Sequence, residues 1–261
     1  MGIVNVTADS FSGDGLADDP GRAVAHGLRL VEEGADLLDI GGESSRPGAN
    51  PVSCAEELRR VIPVIERLAD CGVPLSVDTV KPEVMRAALS AGATLVNDIN
   101  ALLAPGAVEY LADSEAAVCL MHMQNDPATM QREPHYNDVV SEVLDFLAAR
   151  VLAAERGGIA KSRLLIDPGF GFGKTLAHNL ALLRSLDRFR MLGLPLLVGL
   201  SRKSMLGQIT GRPVAERLHA SVAAALLAAE RGADILRVHD VAATKDALAV
   251  LQALRNCAEA S

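Results

Sequence analysis

The sequence lacks most of the features that mark secreted, membrane-bound or nucleic-acid-binding proteins. Its four cysteines stand far apart and form no C-x-x-C pair, so neither a disulfide framework nor a zinc site is predicted, and buried free thiols are expected. The apolar runs are far shorter than the roughly 18 residues that a membrane span requires, and no charged-then-apolar leader opens the sequence. A formal charge of −8 argues against a general affinity for nucleic acid. We therefore expect a cytoplasmic protein with neither a membrane nor a nucleic acid as partner.

The most informative feature of the 261 residues is a repeated unit. In GADLLDIGG (34–42), GATLVNDIN (92–100) and GADILRVHD (232–240), a glycine suited to end a helix precedes a short apolar run, and polar residues follow. Looser copies are MGIVNVT at the start, GVPLSVDT (72–79), AAVCLMHM (116–123), SRLLIDPG (162–169) and GLPLLVGLS (193–201), which makes eight apolar runs. Segments with helical period lie between these runs, for example at 56–72, 139–158 and 219–232.

This alternation predicts the fold. Near-continuous apolar strands alternating with helices are typical of a parallel sheet covered by helices, and eight units in about 250 residues favour a closed (β/α)8 TIM barrel. We predict an α/β protein with one barrel domain over residues 1–261, and an open doubly wound sheet is the alternative. No stretch rich in proline, glycine or serine divides the chain. The segment 219–232 is apolar around most of its circumference, which predicts a contact with a second subunit.

Side chains capable of chemistry stand where the predicted strands end, which is where barrel enzymes carry their active sites. Helix capping accounts for aspartate, asparagine and serine at such places, but not for arginine, lysine or histidine. The residues at the strand ends are Asn5, Asp39, Asp78, Asn97 with Asp98, Met121 with His122, Asp167, Ser201 to Lys203, and Arg237 with His239.

Positive charge gathers after the seventh and eighth predicted strands, where barrels tend to bind phosphate. Arg237 and His239 are two residues apart, so on a strand both side chains point to the same face. An anionic ligand at this face is the favoured interpretation. The structural alternative is an ion pair at the barrel rim, because charged residues are rarely buried without partners.

Negative charge comes from the third and sixth predicted strands, which carry Asp78 and Asp167 across the barrel mouth from each other. A carboxylate accepts two hydrogen bonds side by side, so it can hold a ring edge with an N–H next to an amino group, as in a pterin or guanine. Asn97 can add a donor and an acceptor, although asparagine at a strand end is as often a turn residue. His122 is expected to be structural, because Met121 and His122 face opposite sides and only one can face inward.

The stretch DPGFGFGKT (167–175) is a near match to a phosphate-binding P-loop. The P-loop motif requires glycine where this chain has Pro168, which offers no N–H to a phosphate. The glycines are instead expected to let the backbone approach a flat ligand closely. Lys174 is expected at the surface or at a helix start, where replacing it by alanine would leave turnover nearly intact.

Eight motifs, taken in order, resemble the dihydropteroate synthases of the bacterial folate pathway, a family of pterin-binding enzymes. The resemblance covers nearly the whole chain, and the motifs are NVTADSFS (5–12), DIGGESSRPGA (39–49), SVDTVKPEV (76–84), NDI (97–99), LMHMQ (120–124), LLIDPGFGFGKT (164–175), VGLSRKSMLG (198–207) and RVHDV (237–241). It implies a homodimeric transferase that uses Mg²⁺ and joins 6-hydroxymethyl-7,8-dihydropterin diphosphate to 4-aminobenzoate, which gives 7,8-dihydropteroate and diphosphate.

The resemblance also implies roles for particular residues. The residues implied to bind the pterin are Asp78, Asn97, Asp167 and Lys203, with Met121 against the ring. Those implied to bind the diphosphate are Arg237, His239 and Ser45, and Asn5 contacts it through the magnesium ion. The aminobenzoate pocket and its closing loops correspond to Phe11, Arg46, Phe172 and Ser204, and Gly199 belongs to the substrate site. Asp78, Asp167, Lys203, Arg237 and His239 are the expected catalytic residues.

Two departures from the family pattern fall in the first loop, where Ala8 replaces a proline and Gly13-Asp14 reverses an Asp-Gly order. The SSRPG and NDI segments lack the replacements of sulfonamide-insensitive plasmid relatives, so inhibition by sulfonamides is expected. Three other functions compete with the synthase: a methyltetrahydrofolate–corrinoid type of pterin-binding module, a Schiff-base lyase that uses Lys203, and an inactive scaffold. The cations near Lys203 and Arg237 argue against the first, because such a module has no diphosphate to hold.

Overall fold

The computed structural model describes residues 1–7, 19–44 and 48–259. Strands and helices alternate along the chain, as the repeated unit predicts. The strands are β1 (Gly2–Asn5), β2 (Leu38–Gly41), β3 (Leu75–Asp78), β4 (Leu95–Asp98), β5 (Ala117–Met121), β6 (Leu164–Asp167), β7 (Leu197–Val198) and β8 (Ile235–Leu236). The helices are α1 (Pro20–Glu32), α2 (Cys54–Leu68), α3 (Pro82–Ser90), α4 (Ala107–Ala112), α5 (Val139–Arg156), α6 (Leu176–Arg184), α7 (Ser204–Thr210), α8 (Leu218–Glu230) and α9 (Val241–Glu259).

The helices begin where the local sequence provides a cap. The side chain of Ser53 accepts a hydrogen bond from the backbone of Glu56 at the start of α2, and Asp138 caps α5 in the same way. Thr175 and His178 form a reciprocal capping box at the start of α6. The three helices predicted at 56–72, 139–158 and 219–232 correspond to α2, α5 and α8, so each boundary lies within a few residues of its prediction.

The strands form two parallel sheets. One sheet contains β1 to β6 in chain order, and the other contains β7 and β8. Isolated parallel bridges join Ile166 to Leu196 and Gly2 to Val238, so hydrogen bonds also connect the edges of the two sheets. All the strands therefore run in the same direction, and their carboxyl ends lie on one side of the molecule.

The last two strands are shorter than the sequence predicts. Arg237 and His239 follow β8 instead of lying on it, and Ser201 follows β7 by several residues. The predicted alternation nevertheless holds, because Val238 is buried in the main hydrophobic core while its two neighbours line the cavity described below. Strand-like geometry thus extends beyond the residues that make regular ladder hydrogen bonds.

Buried side chains form two layers, one on each face of the strands. The larger cluster packs the strands against the helices and includes Val96, Val118, Leu120, Leu164 and Ile166. Residues between these in sequence face the other way and form a small cluster of Met1, Leu95, Cys119, Leu165 and Leu197. Because side chains alternate along a strand, every second residue lies on the inner face. At the carboxyl ends of the strands, the residues on this face are polar.

Cys54, Cys71 and Cys119 are free thiols, as predicted, but the four cysteines are not all buried. Cys119 is buried, Cys54 and Cys71 are half-buried, and Cys257 is exposed on α9, because that helix presents a largely exposed face near its end. Within the described ranges, no helix combines the length and apolar character needed to cross a bilayer.

Candidate active site

One cavity of about 470 Å³ opens at the carboxyl ends of the strands. All the predicted site residues that belong to the described ranges line it: Asn5, Asp78, Asn97, Met121, Asp167, Phe172, Gly199, Lys203, Ser204, Arg237 and His239. Ser45 and Arg46, together with Phe11 and the altered first loop from Ala8 to Asp14, lie outside the described residues. Parallel strands explain the convergence, since residues far apart in sequence end at the same rim.

Arg237 is held by two carboxylates. Its Nε donates to Asp39 Oδ2 at 2.5 Å, and its Nη2 donates to Asp78 Oδ2 at 2.8 Å. Burial lowers the pKa of the guanidinium, but the charges of Asp39 and Asp78 outweigh burial and raise it overall. Arg237 is therefore a permanent cation. The sequence offered two interpretations of this residue, an anion site and an ion pair at the barrel rim, and the ion pair is present in the cavity proposed to bind the anion.

Asp39 connects this cation to the amide of Asn97. Its side chain is fully buried, and its Oδ2 also accepts a hydrogen bond from Asn97 Nδ2 at 3.1 Å. A carboxylate can only accept, so the amide group of Asn97 must turn its NH2 toward Asp39 and keep its oxygen for another partner. The sequence predicts Asp39 at a strand end, but it is the second of the four residues of β2. No role was predicted for it, because nothing local indicates that β2 faces both Asn97 and Arg237.

Asp167 and Lys203 form the other half of the cavity. The backbone N–H of Gly169 donates to Asp167 Oδ1 at 2.7 Å, which orients the carboxylate. Burial raises the pKa of Asp167, and Lys203 opposes the rise. Burial also lowers the pKa of Lys203 to about 8, against the attraction of Asp167. Lys203 Nζ donates to the backbone oxygen of Phe170 and lies 4.7 Å from the centre of the Phe172 ring, so an aromatic wall and a cation stand side by side.

His239 and Ser201 close the cavity beside Arg237. The hydroxyl of Ser201 is 2.9 Å from His239 Nδ1 and accepts a hydrogen bond from the backbone N–H of His239 at 3.2 Å. This contact fixes the imidazole at the rim. Gly199 lines the cavity next to the stem of Arg237, because a β-carbon on it would stand 3.7 Å from that of Arg237.

Two of the predicted strand-end residues have structural surroundings. Asp98 is fully buried and accepts hydrogen bonds from the backbone N–H groups of Asn100 and Leu102 at 2.7 and 2.8 Å, so it caps a turn. His122 is also buried away from the cavity lining, which agrees with its predicted structural role.

The prediction for Lys174 is right about the helix start, since the residue directly precedes the N-cap Thr175 of α6, but wrong about the surface. Its side chain is only 3% exposed, and its Nζ lies among oxygen and nitrogen acceptors inside the protein. The local sequence suggested a surface residue because a lysine beside a helix start is normally solvated. The buried position removes the basis for expecting that replacement of Lys174 would leave turnover unaffected.

Comparison with known proteins identifies the family. The sequence model for the family described as pterin binding enzyme matches residues 1–239. Dihydropteroate synthase of Escherichia coli (strain K12) is 50% identical over 260 residues, which cover 99% of this chain and 92% of that protein. The chain belongs to the pterin-binding enzyme family and, within it, to the dihydropteroate synthases.

Solved structures of this family agree with the fold over nearly its full length. A dihydropteroate synthase of Xanthomonas albilineans, solved with 4-aminobenzoic acid, is 60% identical with a TM-score of 0.92 and covers 98% of this chain and 92% of its own. A dihydropteroate synthase of Yersinia pestis, solved with a sulfonamide drug complex, is 50% identical with a TM-score of 0.96 and covers 98% and 94% of the two chains.

Membership of this family raises the question of magnesium. Within the described ranges, no group of three or more histidine, cysteine, aspartate or glutamate side chains is arranged to hold a metal ion. Asn5 lines the cavity at the end of β1 and can offer one amide oxygen. Because Mg²⁺ commonly keeps several waters and combines one or two protein oxygens with phosphate oxygens, Asn5 fits an ion bound together with a phosphate-bearing ligand.

Proposed function

We propose that this chain joins 6-hydroxymethyl-7,8-dihydropterin diphosphate to 4-aminobenzoate, which gives 7,8-dihydropteroate and diphosphate. The observation that carries the proposal is one cavity whose lining includes the carboxylates of Asp78 and Asp167 and the basic side chains of Lys203, Arg237 and His239. A pterin-binding module of the methyltetrahydrofolate–corrinoid type has no diphosphate for these basic groups. Family membership and 50% identity to a dihydropteroate synthase support the same reaction.

The pterin ring is proposed to lie between Asp78, Asn97 and Asp167, with Lys203 donating to it and Met121 against its face. The carboxylates accept from the N–H and amino groups of the ring, which form a planar donor edge. Arg237 uses Nε and Nη2 for Asp39 and Asp78, so its Nη1 remains for the diphosphate. His239 contributes a second donor to that group, and Ser45 corresponds to a third.

In the proposed reaction the bond between the pterin methylene carbon and the diphosphate oxygen breaks first, and both electrons leave with the diphosphate. The ring shares the positive charge of the carbon, and the carboxylates of Asp78 and Asp167 stabilise that charge. Arg237 and His239 stabilise the departing diphosphate. Mg²⁺, held by Asn5 and the diphosphate oxygens, would neutralise part of the same charge. The nitrogen of 4-aminobenzoate then forms the new C–N bond and loses its proton to water, since an aromatic amine is already a free base near neutral pH.

The amine is proposed to approach along the side of the cavity lined by Phe172 and Ser204, where an aromatic ring can pack on Phe172. Arg46 and Phe11, by the family resemblance, belong to the loops that close over it. A coupled assay of diphosphate release and of dihydropteroate formation tests the reaction. Equal amounts of both products should appear only when the pterin diphosphate and 4-aminobenzoate are present together. Binding of methyltetrahydrofolate without any release of diphosphate would favour the methyltransferase-type module instead.

Sulfonamides should inhibit the enzyme because they resemble 4-aminobenzoate in shape and in their aromatic amine. Turnover in the presence of a large excess of sulfamethoxazole over 4-aminobenzoate should therefore fall to a small fraction of its uninhibited value, and additional 4-aminobenzoate should restore it. Inhibition that does not respond to 4-aminobenzoate, or no inhibition at all, would contradict a shared site.

The rate of capture of the pterin substrate should depend on the charge of Lys203. Burial lowers the pKa of this ammonium to about 8, so it is charged below that pH and neutral above it. Because kcat/KM reports the ionisation of the free enzyme, kcat/KM for the pterin diphosphate should fall as pH rises through about 8. In the variant Lys203→Arg the cation persists, and the alkaline fall should move to higher pH. An unchanged alkaline limb in that variant would assign the fall to another group.

We also propose that the two sheets close into a single (β/α)8 barrel that spans residues 1–261. The bridges from Ile166 to Leu196 and from Gly2 to Val238 support closure, as does the inner cluster that draws side chains from β4, β5, β6 and β7. A closed barrel leaves no unpaired sheet edge. Hydrogen exchange offers a test, since β1 and β6 should be as protected as β3.

The proposed assembly is a homodimer that contacts through α8. Leu218 and Leu227 on this helix are 37% and 42% exposed, and a second subunit would cover them. Light scattering that gives only a monomer would remove this proposal. A cytoplasmic location is proposed as well, because the free thiols of Cys54, Cys71 and Cys119 suit a reducing compartment; cell fractionation tests it.

A further inference from the structure

Lys174 is a buried amine that the proposed reaction does not use, and burial lowers its pKa well below the ordinary value of a lysine. Its Nζ lies 2.9 Å from the backbone oxygen of Gly169, 3.0 Å from that of Phe172 and 2.9 Å from His122 Nδ1. The backbone oxygen of His122 is a fourth neighbour at 3.5 Å, and the N–H groups of the amine can serve the three nearer acceptors. Its position outside the cavity lining means that any effect on substrates must be transmitted by the groups it holds.

His122 completes the set as a neutral acceptor. Burial and, to a smaller extent, repulsion from Lys174 lower the pKa of its imidazole to about 3. The ring is therefore neutral near pH 7, and when the ammonium form of Lys174 donates to Nδ1, the ring proton is on Nε2. Edge-to-face packing on Phe146 fixes the ring plane, with the ring centres 4.9 Å apart.

The loop that Lys174 holds lies directly on the end of β5. Gly169, Gly171 and Gly173 all have positive φ, and a β-carbon on Gly169 would come within 1.8 Å of the backbone oxygen of His122. A backbone hydrogen bond within the loop joins the N–H of Phe172 to the oxygen of Gly169 at 3.2 Å, and buried carbonyl oxygens of the loop take further donors from side chains. Lys174 provides donors for two of them.

The same loop carries the wall of the cavity. The backbone oxygen of Phe170 accepts from Lys203, whereas those of Gly169 and Phe172 accept from Lys174. Two lysines thus hold carbonyl groups of the four residues 169–172. Lys203 does so from the cavity, and Lys174 does so from the protein interior. Lys203 also lies 4.7 Å from the centre of the Phe172 ring, on which the acceptor is proposed to pack, and Lys174 holds the backbone oxygen of the same residue.

We propose that Lys174 is a positioning residue for the acceptor half of the site: through Gly169, Phe172 and neutral His122, it holds the loop 168–173 in the shape that presents Phe172 to the aromatic amine. The proposal rests on the proposed synthase function. The pterin half touches this loop through the N–H of Gly169, which donates to Asp167. We expect it to depend less on Lys174, because the backbone of Asp167 belongs to β6 and is paired with Met121 in the sheet.

The test compares KM for the two substrates in Lys174→Met, with Lys161→Met as the control at an exposed lysine. Methionine has a similar length and packs in an apolar site but donates no hydrogen bond. We expect KM for 4-aminobenzoate to rise about tenfold or more in Lys174→Met, KM for the pterin diphosphate to change by less than about threefold, and Lys161→Met to match the wild type. Equal increases in both KM values, or none, would overturn the proposal.

A second pair of variants keeps the proposal testable if Lys174→Met does not fold. His122→Leu removes the acceptor for Lys174, and His122→Asn restores one close to the position of Nδ1. KM for 4-aminobenzoate should rise in the leucine variant and return toward the wild-type value in the asparagine variant. Leucine and asparagine variants with the same KM would overturn the role of the pair. A wild-type enzyme that releases no diphosphate with both substrates would instead refute the synthase function and not this contact.

Discussion

Replacing Arg237 by methionine is expected to lower kcat by about 10² to 10³-fold, the range observed when a group that stabilises developing charge is removed. The guanidinium stands at the rim with Nη1 available, and the departing diphosphate gains negative charge as its bond to carbon breaks. Methionine fills similar space but offers neither charge nor donor. The measurement is steady-state diphosphate release at saturating concentrations of both substrates.

Arg237→Met also leaves the buried carboxylates of Asp39 and Asp78 without their counter-charge. Removing one partner of a buried ion pair costs about 3–5 kcal/mol, so the free energy of unfolding must be measured in urea alongside activity. Arg237→Lys keeps a positive charge but cannot bridge two carboxylates as the guanidinium fork does. Its kcat should therefore lie between those of the wild type and of Arg237→Met. Arg212→Met is the control, because Arg212 forms an exposed pair with Glu216. A folded Arg237→Met enzyme with wild-type kcat would show that another group carries the leaving diphosphate.

Replacing Asp167 by asparagine is expected to weaken pterin binding by about 10² or more, the loss of one or two hydrogen bonds to a charged acceptor. The backbone N–H of Gly169 donates to Oδ1 of Asp167, so an asparagine there would turn its amide oxygen toward Gly169. Its NH2 group would then face the N–H donors of the ring, and two donors would meet. The substitution therefore replaces an attraction by a repulsion while barely changing the volume.

Calorimetry with 6-hydroxymethylpterin measures this loss directly and does not require turnover. Asp70→Asn is the matched control, because Asp70 is an exposed aspartate just after α2. Its affinity should equal that of the wild type. Asp167→Asn with unchanged affinity would place the ring elsewhere in the cavity, and Asp78 would become the carboxylate to examine in the same way.

The fold and the composition of the site were predictable from local patterns. The repeated unit of a glycine, an apolar run and a polar end predicted strands, and the structure has a strand at nearly every one of these positions. Each residue that was predicted for the substrate site and is described by the structure lines one cavity. The errors fall where a residue's surroundings come from distant parts of the chain. Lys174 follows a glycine-rich stretch and precedes a helix, which locally indicates solvent, yet its acceptor His122 lies 52 residues away.

Asp39 illustrates the same limit from the other side. In the sequence, Asp39 has the same context as Asp78 and Asp98, since each is an aspartate near the end of a predicted strand. The three nevertheless differ: Asp39 holds Arg237 from 198 residues away, Asp78 lines the cavity, and Asp98 caps a turn. Which of these environments each aspartate occupies depends on which face of its strand it belongs to and on what the neighbouring strands present.

The sequence by itself determined the alternation of strands and helices, the direction of the strands and the kinds of side chain at their carboxyl ends. Those features follow from periodicity and turn chemistry, which act between residues close in the chain. Only the tertiary structure decided that Arg237 is shared by Asp39 and Asp78 and that Lys174 is buried under the loop that carries Phe172. Ion pairs and buried hydrogen bonds depend on distances of a few ångströms between strands, and packing of the whole sheet sets those distances.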